Sequence, residues 1–249
     1  RGMTISQITD QLTRGDGKPI VRSITVIPGW TVEGIADYLL KEGAISDRAQ
    51  FLEMCKSGQQ FAAYYFVNDV LASGTVLQRK YALEGYLAPD TYEVYTDAKP
   101  EDIIKKLLSQ TGAVFIEGYQ TRAQELGMSM DQVLALASMI EKEAKTADFA
   151  RVSGIFHNRL RQKMRLGSDV TVKYVTGTTR MALGGSDLAV DSPYNTYQRE
   201  GLPIGPICAP SPAAIQAALY PDEAFMAEGY LYFCSKDPDT GELYFSKTL

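Results

Sequence analysis

Hydrophobic and polar residues follow two different periods along this chain, and each period predicts regular structure. Apolar residues three or four positions apart share one helical face, and this spacing predicts helices. They are expected over residues 4–13, 31–42, 46–54, 100–108, 131–144, 150–160 and 212–219. Shorter runs rich in β-branched and aromatic residues predict strands at 21–27 and 167–175, and a hairpin from 230–234 and 243–245. The mixture favours an α+β fold.

The order of elements predicts two parts. Before residue 57 the chain runs helix, strand, Pro–Gly turn and helix, an order typical of a small LysM-like module. A larger mixed α+β region follows. We expect residues 1–80 to form the LysM-like part and residues 81–249 to form the second domain.

The helix over 131–144 is apolar or small on every side from 133 to 140, which predicts a buried helix. Asp131 is the expected N-cap. Two glutamates lie near the end of this helix. Glu141 shares a helical face with the apolar residues Leu134 and Ala137, whereas Glu143, two residues further on, points about 200° away from Glu141 around the helix axis. A carboxyl group with little water around it can stay protonated near neutral pH and act as a general acid. The alternative for Glu141 is a solvated helix end, and Glu143 is expected to be outward or salt-bridged.

Composition narrows the chemistry. The chain has 249 residues and a net charge of −5, which argues against nucleic acid as the main partner. Its three cysteines contain no CxxC pair, and its single histidine, His157, lies in a helical pattern typical of a structural hydrogen bonder. Catalysis, if present, is therefore expected to use carboxylates. No apolar run reaches the roughly 18 residues of a membrane span.

Two irregular stretches interrupt the second part. Residues 177–191 are rich in Gly, Thr and Ser, and residues 192–212 hold four prolines after Pro193, so neither is expected to be regular. A long ordered loop in a compact domain is usually functional. Fifteen tyrosines are many; they suit either a wet groove for a polar polymer or ordinary strands.

Six blocks in fixed order carry a family resemblance. They are LEGYLAPDTY (83–92), ASMIEKE (137–143), VSGIFHNRL (152–160), MRLGSD (164–169), SPYNTY (192–197) and GLPIGPI (201–207). In this order the chain closely resembles the YceG-like family, whose characterised members are endolytic murein transglycosylases of the MltG type. The resemblance extends from about residue 4 to the C-terminus.

The resemblance implies a LysM-like subdomain followed by a catalytic domain, without a cofactor or metal. It places the catalytic glutamate on Glu141. The implied reaction cleaves the MurNAc–GlcNAc bond of nascent peptidoglycan without water and leaves 1,6-anhydro-MurNAc ends, which ends glycan elongation. It further implies an N-terminal transmembrane helix absent from this chain, a body outside the cytoplasmic membrane, and peptidoglycan synthases as partners.

Substrate contacts are expected from eight polar residues in the matching blocks. Hydroxyl and amide groups in the loop suit N-acetyl sugars, although turn chemistry and loop filling are the alternatives. The candidates are Glu84, Tyr86, Ser168, Asp169, Thr171, Tyr194, Asn195 and Tyr197. The chain departs from the family pattern at Gly167, Val170 and Leu243, and the last makes a catalytic histidine unlikely.

Two other functions remain open from the sequence. One is a wall-binding or scaffold protein in which the carboxylate has no chemical role. The other is a pyridoxal-phosphate lyase acting on aminodeoxychorismate, for which no lysine in a Gly-rich phosphate cup stands out. Release of anhydro-muropeptides distinguishes the transglycosylase from the binding protein, and an absorbance scan near the Schiff-base band tests the lyase.

Overall fold

A computed structural model describes residues 4–14, 20–237 and 240–249, and it mixes many helices with small sheets. The helices are α1 (Ile5–Arg14), α2 (Val32–Lys41), α3 (Arg48–Ser57), α4 (Tyr65–Ala72), α5 (Pro100–Val114), α6 (Glu117–Glu125), α7 (Met130–Glu143), α8 (Phe149–Arg161), α9 (Asp169–Thr176), α10 (Gly185–Leu188), α11 (Pro212–Leu219) and α12 (Glu223–Glu228). The strands are β1 (Val21–Val26), β2 (Asp90–Tyr95), β3 (Tyr232–Asp237) and β4 (Glu242–Ser246). The predicted α+β class is confirmed.

The first sheet joins distant parts of the sequence. Strand β1 pairs antiparallel with β2, from Val21 opposite Tyr95 to Val26 opposite Asp90. Ile24 and Val26 turn their side chains into the core, as the alternation in the sequence predicts. Because β2 lies beyond residue 80, the sheet ties the two predicted parts together, and a division at that position stays a prediction.

Helix α7 lies at the centre of the core. Every residue from 133 to 140 is buried, and α8 and α11 pack against the helix. Its N-cap is Ser129, which forms a capping box with Gln132, so the N-cap predicted at Asp131 is wrong. Asp131 lies inside the first turn, where its carboxylate accepts hydrogen bonds from Arg79 and the Tyr86 hydroxyl.

The strand expected over 167–175 is wrong, because this segment forms the two-turn helix α9. The run of β-branched residues suggested a strand, but tertiary packing overrides that preference. Thr171 donates its hydroxyl to the carbonyl of Ser168 at 2.8 Å, and Val172 is fully buried. Gly177, with φ of 68°, ends the helix in the left-handed conformation that favours glycine.

The predicted hairpin near the C-terminus is confirmed as β3 and β4. Phe233 of β3 packs edge-on against Phe156 of α8, with ring centroids 5.8 Å apart. Lys145, two residues after α7, donates to the carbonyl of Thr240. The hairpin is thereby held against the C-terminal end of α7. In the part of the chain that the structure describes, no helix combines the length and hydropathy needed to cross a membrane.

Candidate active site

A pocket of about 280 Å³ opens where the end of α7 meets α8, the start of α9 and the β3–β4 hairpin. One part of its lining is polar and the other is apolar. The polar side chains are Glu143, Arg159, Ser168, Asp169, Tyr197 and Ser235, and the apolar ones are Phe156, Leu166, Phe233 and Leu243, with Gly167 and Cys234 completing the wall. Such a mixture suits a ligand that carries both hydroxyl groups and apolar faces, as a sugar does.

Glu143 is the last residue of α7 and lies half-buried in this pocket. The hydroxyl of Ser168 donates to its Oε1. Burial raises the pKa of Glu143, and the charge of Asp169 raises it further, whereas the Ser168 hydrogen bond and the cations Lys173 and Arg159 oppose the rise. The expectation that Glu143 points outward or forms a salt bridge is therefore wrong.

Asp169 and Tyr197 form a second polar pair in the pocket. The Tyr197 hydroxyl donates to Asp169 Oδ1 at 2.6 Å. Burial and this bond to Asp169 raise the pKa of Tyr197, so the phenol keeps its proton. The pair brings together two distant blocks, because Asp169 opens α9 and Tyr197 belongs to the proline-rich loop.

Backbone contacts fix these two blocks relative to each other. The Gly167 N–H donates to the carbonyl of Thr196 at 3.0 Å. The Ser168 N–H donates to the Thr196 hydroxyl at 3.0 Å, which in turn lies 3.0 Å from the Thr171 hydroxyl. Thr171 is fully buried and is not among the residues that line the pocket.

Arg159 supplies a fixed cation to the pocket lining. Its Nε donates to the carbonyl of Leu231 at 2.7 Å and its Nη1 to the carbonyl of Leu166 at 2.5 Å. The guanidinium lies 5.5 Å from the centre of the Tyr232 ring. Two carbonyl partners and a ring face fix its position. Burial lowers the pKa of Arg159, but the guanidinium stays charged at neutral pH.

Glu141 has a different environment. Its Oε2 accepts two hydrogen bonds from Ser211, from the backbone N–H at 2.9 Å and from the hydroxyl at 2.6 Å. Ser211 is the N-cap of α11, where its Oγ also accepts the Ala214 N–H. The adjacent Lys142 donates to the carbonyl of Gly29 at 3.4 Å. Glu141 therefore joins α7 to α11 beside the Pro–Gly turn, and it is not among the residues that line the pocket containing Glu143.

Two of the loop candidates lie in the interior. Tyr194 is 3% exposed and packs against Tyr174, with ring centroids 5.0 Å apart. Asn195 is fully buried, and its Nδ2 donates to the carbonyls of Leu188 and Val190. Asn195 Oδ1 also accepts the N–H of Tyr197 at 2.9 Å, so the residue shapes the loop that presents Tyr197.

Glu84 and Tyr86 are likewise buried. Glu84 accepts the Val32 N–H on Oε1 at 3.0 Å and the Tyr174 hydroxyl on Oε2 at 2.9 Å. Burial raises its pKa to about 7. Tyr86 is 1% exposed and donates to Asp131. Both side chains join elements inside the protein, and neither reaches the pocket lining.

His157 is a buried structural residue, as predicted. Its Nε2 lies 2.9 Å from the carbonyl oxygen of Ala218, a contact in which the nitrogen donates. Burial lowers the pKa of His157, so the neutral ring is favoured.

The sequence prediction overlooked Glu143 and Arg159 as pocket residues. Helix periodicity could not separate the two glutamates, because α7 is buried on all sides. Glu143 follows Leu136 by seven residues and Met139 by four, and both are fully buried. Each carboxylate therefore continues a buried line. The two glutamates differ in the elements next to them. Glu143 lies beside α9 and the β3–β4 hairpin, whereas Glu141 lies beside the start of α11.

Comparisons with known proteins agree on one family. The model of the YceG-like family matches residues 1–249. An endolytic murein transglycosylase of Bacillus subtilis is 36% identical over the whole chain, which spans 68% of that protein. An endolytic murein transglycosylase of Streptococcus pneumoniae is 27% identical over 96% of this chain. The match covers 48% of that protein, about half of its length. The crystal structure of a YceG-like protein of Listeria monocytogenes superposes with a TM-score of 0.80 at 35% identity, covering 99% of this chain and 80% of that one.

Proposed function

Because the chain belongs to the YceG-like family, we propose that it is an endolytic murein transglycosylase. It cuts the MurNAc–GlcNAc bond inside peptidoglycan strands and leaves 1,6-anhydro-MurNAc ends, which ends the elongation of nascent strands. The names of its relatives support the reaction class. The observation that carries the proposal is the half-buried Glu143 carboxyl, whose pKa is raised by burial, in a pocket with polar and apolar walls.

The reaction needs one group that first gives and then takes a proton. Protonated Glu143 donates to the glycosidic oxygen as the bond to C1 breaks. The resulting carboxylate accepts the proton of the sugar's own 6-hydroxyl as that oxygen closes on C1. No water is consumed, and Glu143 ends protonated as it began. This use of one carboxyl differs from ordinary glycosidases, which employ two.

The surroundings support Glu143 in this role rather than Glu141, to which the resemblance assigned it. A general acid near neutral pH needs a raised pKa and access to the substrate, and Glu143 has both. Glu141 accepts two short hydrogen bonds from Ser211, which hold the carboxylate at the start of α11. To act on a sugar in this pocket, it would have to leave both donors.

Three of the eight expected contacts are proposed to meet the sugar: Ser168, Asp169 and Tyr197, which line the pocket. Thr171, Asn195 and Tyr194 are proposed to support this wall from inside. Glu84 and Tyr86, buried away from the lining, are not proposed as contacts.

The remaining expectations extend the same proposal. We assign residues 1–80 to a LysM-like module and residues 81–249 to the catalytic domain. The enzyme works on the extracytoplasmic side of the cell membrane, where its substrate is, held there by an N-terminal membrane helix. Synthases of the elongation machinery are its proposed partners, since they make the strands that it would cut.

Mass analysis of sugar ends after digestion of nascent glycan strands tests the reaction. We expect new 1,6-anhydro-MurNAc ends at internal positions, and none from a Glu143→Gln preparation. New reducing ends without anhydro sugar would identify a hydrolase and contradict the proposal. Strand binding without any cut would favour the wall-binding alternative.

A further inference from the structure

Two oppositely charged side chains line the pocket together with Glu143, and each is held by its own partners. We propose that Asp169 and Arg159 are positioning residues that act in opposite directions on the readiness of Glu143 to hold and release its proton. This inference rests on the proposed function and deepens it. It assigns to Asp169 an action through Glu143, beyond any contact with the sugar.

The position of Asp169 follows from local geometry. It is the first residue of α9 and directly follows Ser168, whose hydroxyl bonds to Glu143. A carboxylate in the first turn of a helix is favoured by the helix dipole. The Tyr197 hydroxyl, 2.6 Å from Oδ1, holds the side chain in the pocket. The carboxylate is therefore fixed beside Glu143.

The position of Arg159 is also constrained by its hydrogen bonds. The carbonyls of Leu231 and Leu166 accept its Nε and Nη1 hydrogens. Leu231 directly precedes β3, and Leu166 lies just before α9. The guanidinium of Arg159 therefore also connects the hairpin to the segment that leads into α9. Its positive charge opposes the rise in the pKa of both Glu143 and Tyr197.

The charged and titratable groups around Glu143 come from four elements. Helix α9 contributes Asp169 and Lys173, helix α8 contributes Arg159, the proline-rich loop contributes Tyr197, and strand β3 contributes the thiol of Cys234. Asp169 raises the pKa of Glu143, whereas Lys173 and Arg159 lower it. Lys173 lies one turn further along α9, where its amine donates to the carbonyl of Met181. Asp169 and Arg159 are the charges that line the pocket itself.

Opposed charges suit a residue that must act twice. A neighbouring carboxylate favours the protonated form that begins the reaction. A neighbouring guanidinium favours the carboxylate that forms when the leaving oxygen takes the proton. With both present, neither form is held so strongly that the other half-step is blocked.

The test is the pH profile of kcat/KM for anhydro-sugar release. Its alkaline limb reports loss of the proton from the general acid of the free enzyme. We expect Asp169→Asn to move this limb to lower pH and Arg159→Gln to move it to higher pH. Asp169→Glu and Arg159→Lys, which keep the charges, should leave the limb near its wild-type position.

Matched surface variants control for net charge. Asp191→Asn removes an exposed carboxylate paired with Arg199, and Arg180→Gln removes an exposed cation near Asp187. Neither lines the pocket, and both should leave the limb unchanged. Thermal melting checks that every variant is folded. A charge-removing variant that is not folded is replaced by a second one at the same position, Asp169→Ser or Arg159→Met, for which the same direction of shift is expected.

Two results would overturn the inference. One is a limb that stays in place in both charge-removing variants while anhydro sugars are still released. The other is a shift of both in the same direction. Failure of the wild-type chain to release anhydro sugar at any pH would instead remove the proposed function, and this inference with it.

Discussion

Two glutamates of one helix, separated by a single lysine, lie in opposite kinds of surroundings. Glu141 faces α11 and accepts two hydrogen bonds from Ser211. Glu143 faces a pocket, accepts one from Ser168 and has a second carboxylate nearby. Both have the same chemistry in isolation. The difference teaches that the helix determines only the direction in which each side chain leaves it. The elements packed on each side determine what the carboxyl group can do.

The two sides also differ in what they join. On the Glu141 side, the Gly29 N–H donates to the carbonyl of Ala209, and the Ala209 N–H donates to the carbonyl of Trp30, both at 2.8 Å. This side connects the early part of the chain to the loop before α11. On the Glu143 side, the hairpin and α9 leave a space of about 280 Å³. We therefore expect changes on the first side to affect stability and changes on the second to affect rate.

The largest expected effect separates the two glutamates directly. Glu143→Gln should lower the rate of anhydro-sugar release by at least about 10²–10⁴-fold, because an amide can neither donate nor accept the required proton. Glu141→Gln, measured under the same conditions, should lose far less. Thermal melting shows whether both proteins are folded. Equal losses in two folded variants would contradict the division of roles.

The second effect concerns stability on the Glu141 side, where Glu84 holds the start of α2. Its pKa rises from 4.5 to about 7 on folding. The folded protein then binds more protons than the unfolded one between these values, so this contribution is complete below pH 4.5 and is lost as pH rises to about 7. The change corresponds to about 3 kcal/mol. Melting temperatures measured across pH 4–8 should fall less steeply for Glu84→Gln than for the wild type.

The activity profile provides the matching control for Glu84. If this residue acts only on stability, Glu84→Gln should leave the alkaline limb of kcat/KM where it is. If the melting temperatures of the variant and the wild type change with pH in parallel, Glu84 does not titrate in this range. If the alkaline limb of kcat/KM is displaced in Glu84→Gln, Glu84 affects the reaction as well as stability.

A smaller effect is expected from Ser168→Ala, which removes the hydroxyl that holds Glu143. A hydrogen bond to a charged group contributes about 1.5–3 kcal/mol, so a rate loss of roughly tenfold or more is expected. The alkaline limb should move to higher pH, because this bond lowers the pKa of Glu143. Ser186→Ala, at an exposed position of α10, is the matched control. A wild-type rate and limb in Ser168→Ala would mean that the bond does not matter for the reaction.

The smallest effect tests the Glu141 side again. Ser211→Ala removes the N-cap of α11 and one donor to Glu141, at a cost of about 1 kcal/mol in unfolding free energy. In a chain of this size, that lowers the melting temperature by about 2–4 °C. Ser211→Thr, which can still cap the helix, should recover most of the loss. A strong loss of cleavage by Ser211→Ala at unchanged melting temperature would place Ser211 and Glu141 in the chemistry.

The sequence predicted most elements because their local signals agree with their packing. The buried run of α7, the helix over 212–219 and the hairpin from 230–234 and 243–245 are examples. It failed for α9, where Val170, Thr171 and Val172 favour a strand by themselves. That segment packs against α7 and bonds to the loop through the hydroxyls of Thr171 and Thr196. Contacts between distant segments are not encoded in local periodicity.

The site was predicted in part for the same reason. Ser168, Asp169 and Tyr197 lie in matching blocks and do line the pocket. Tyr194 and Asn195 lie in the same block as Tyr197 but are buried, because residues 194–196 of this irregular loop turn into the interior. The proposed change from Glu141 to Glu143 has the same origin, since two residues at the end of a helix that is buried all round give the same sequence pattern.

The central claim is that Glu143 is the general acid and that burial raises the pKa of its carboxyl. The most direct measurement is a pH titration of side-chain carboxyl ¹³C resonances in glutamate-labelled protein. The resonance of Glu143 is identified by its absence from Glu143→Gln. We predict that it titrates at a higher pH than an ordinary solvent-exposed glutamate, because burial and Asp169 favour the protonated form. Titration of Glu143 at or below the ordinary value would contradict the account.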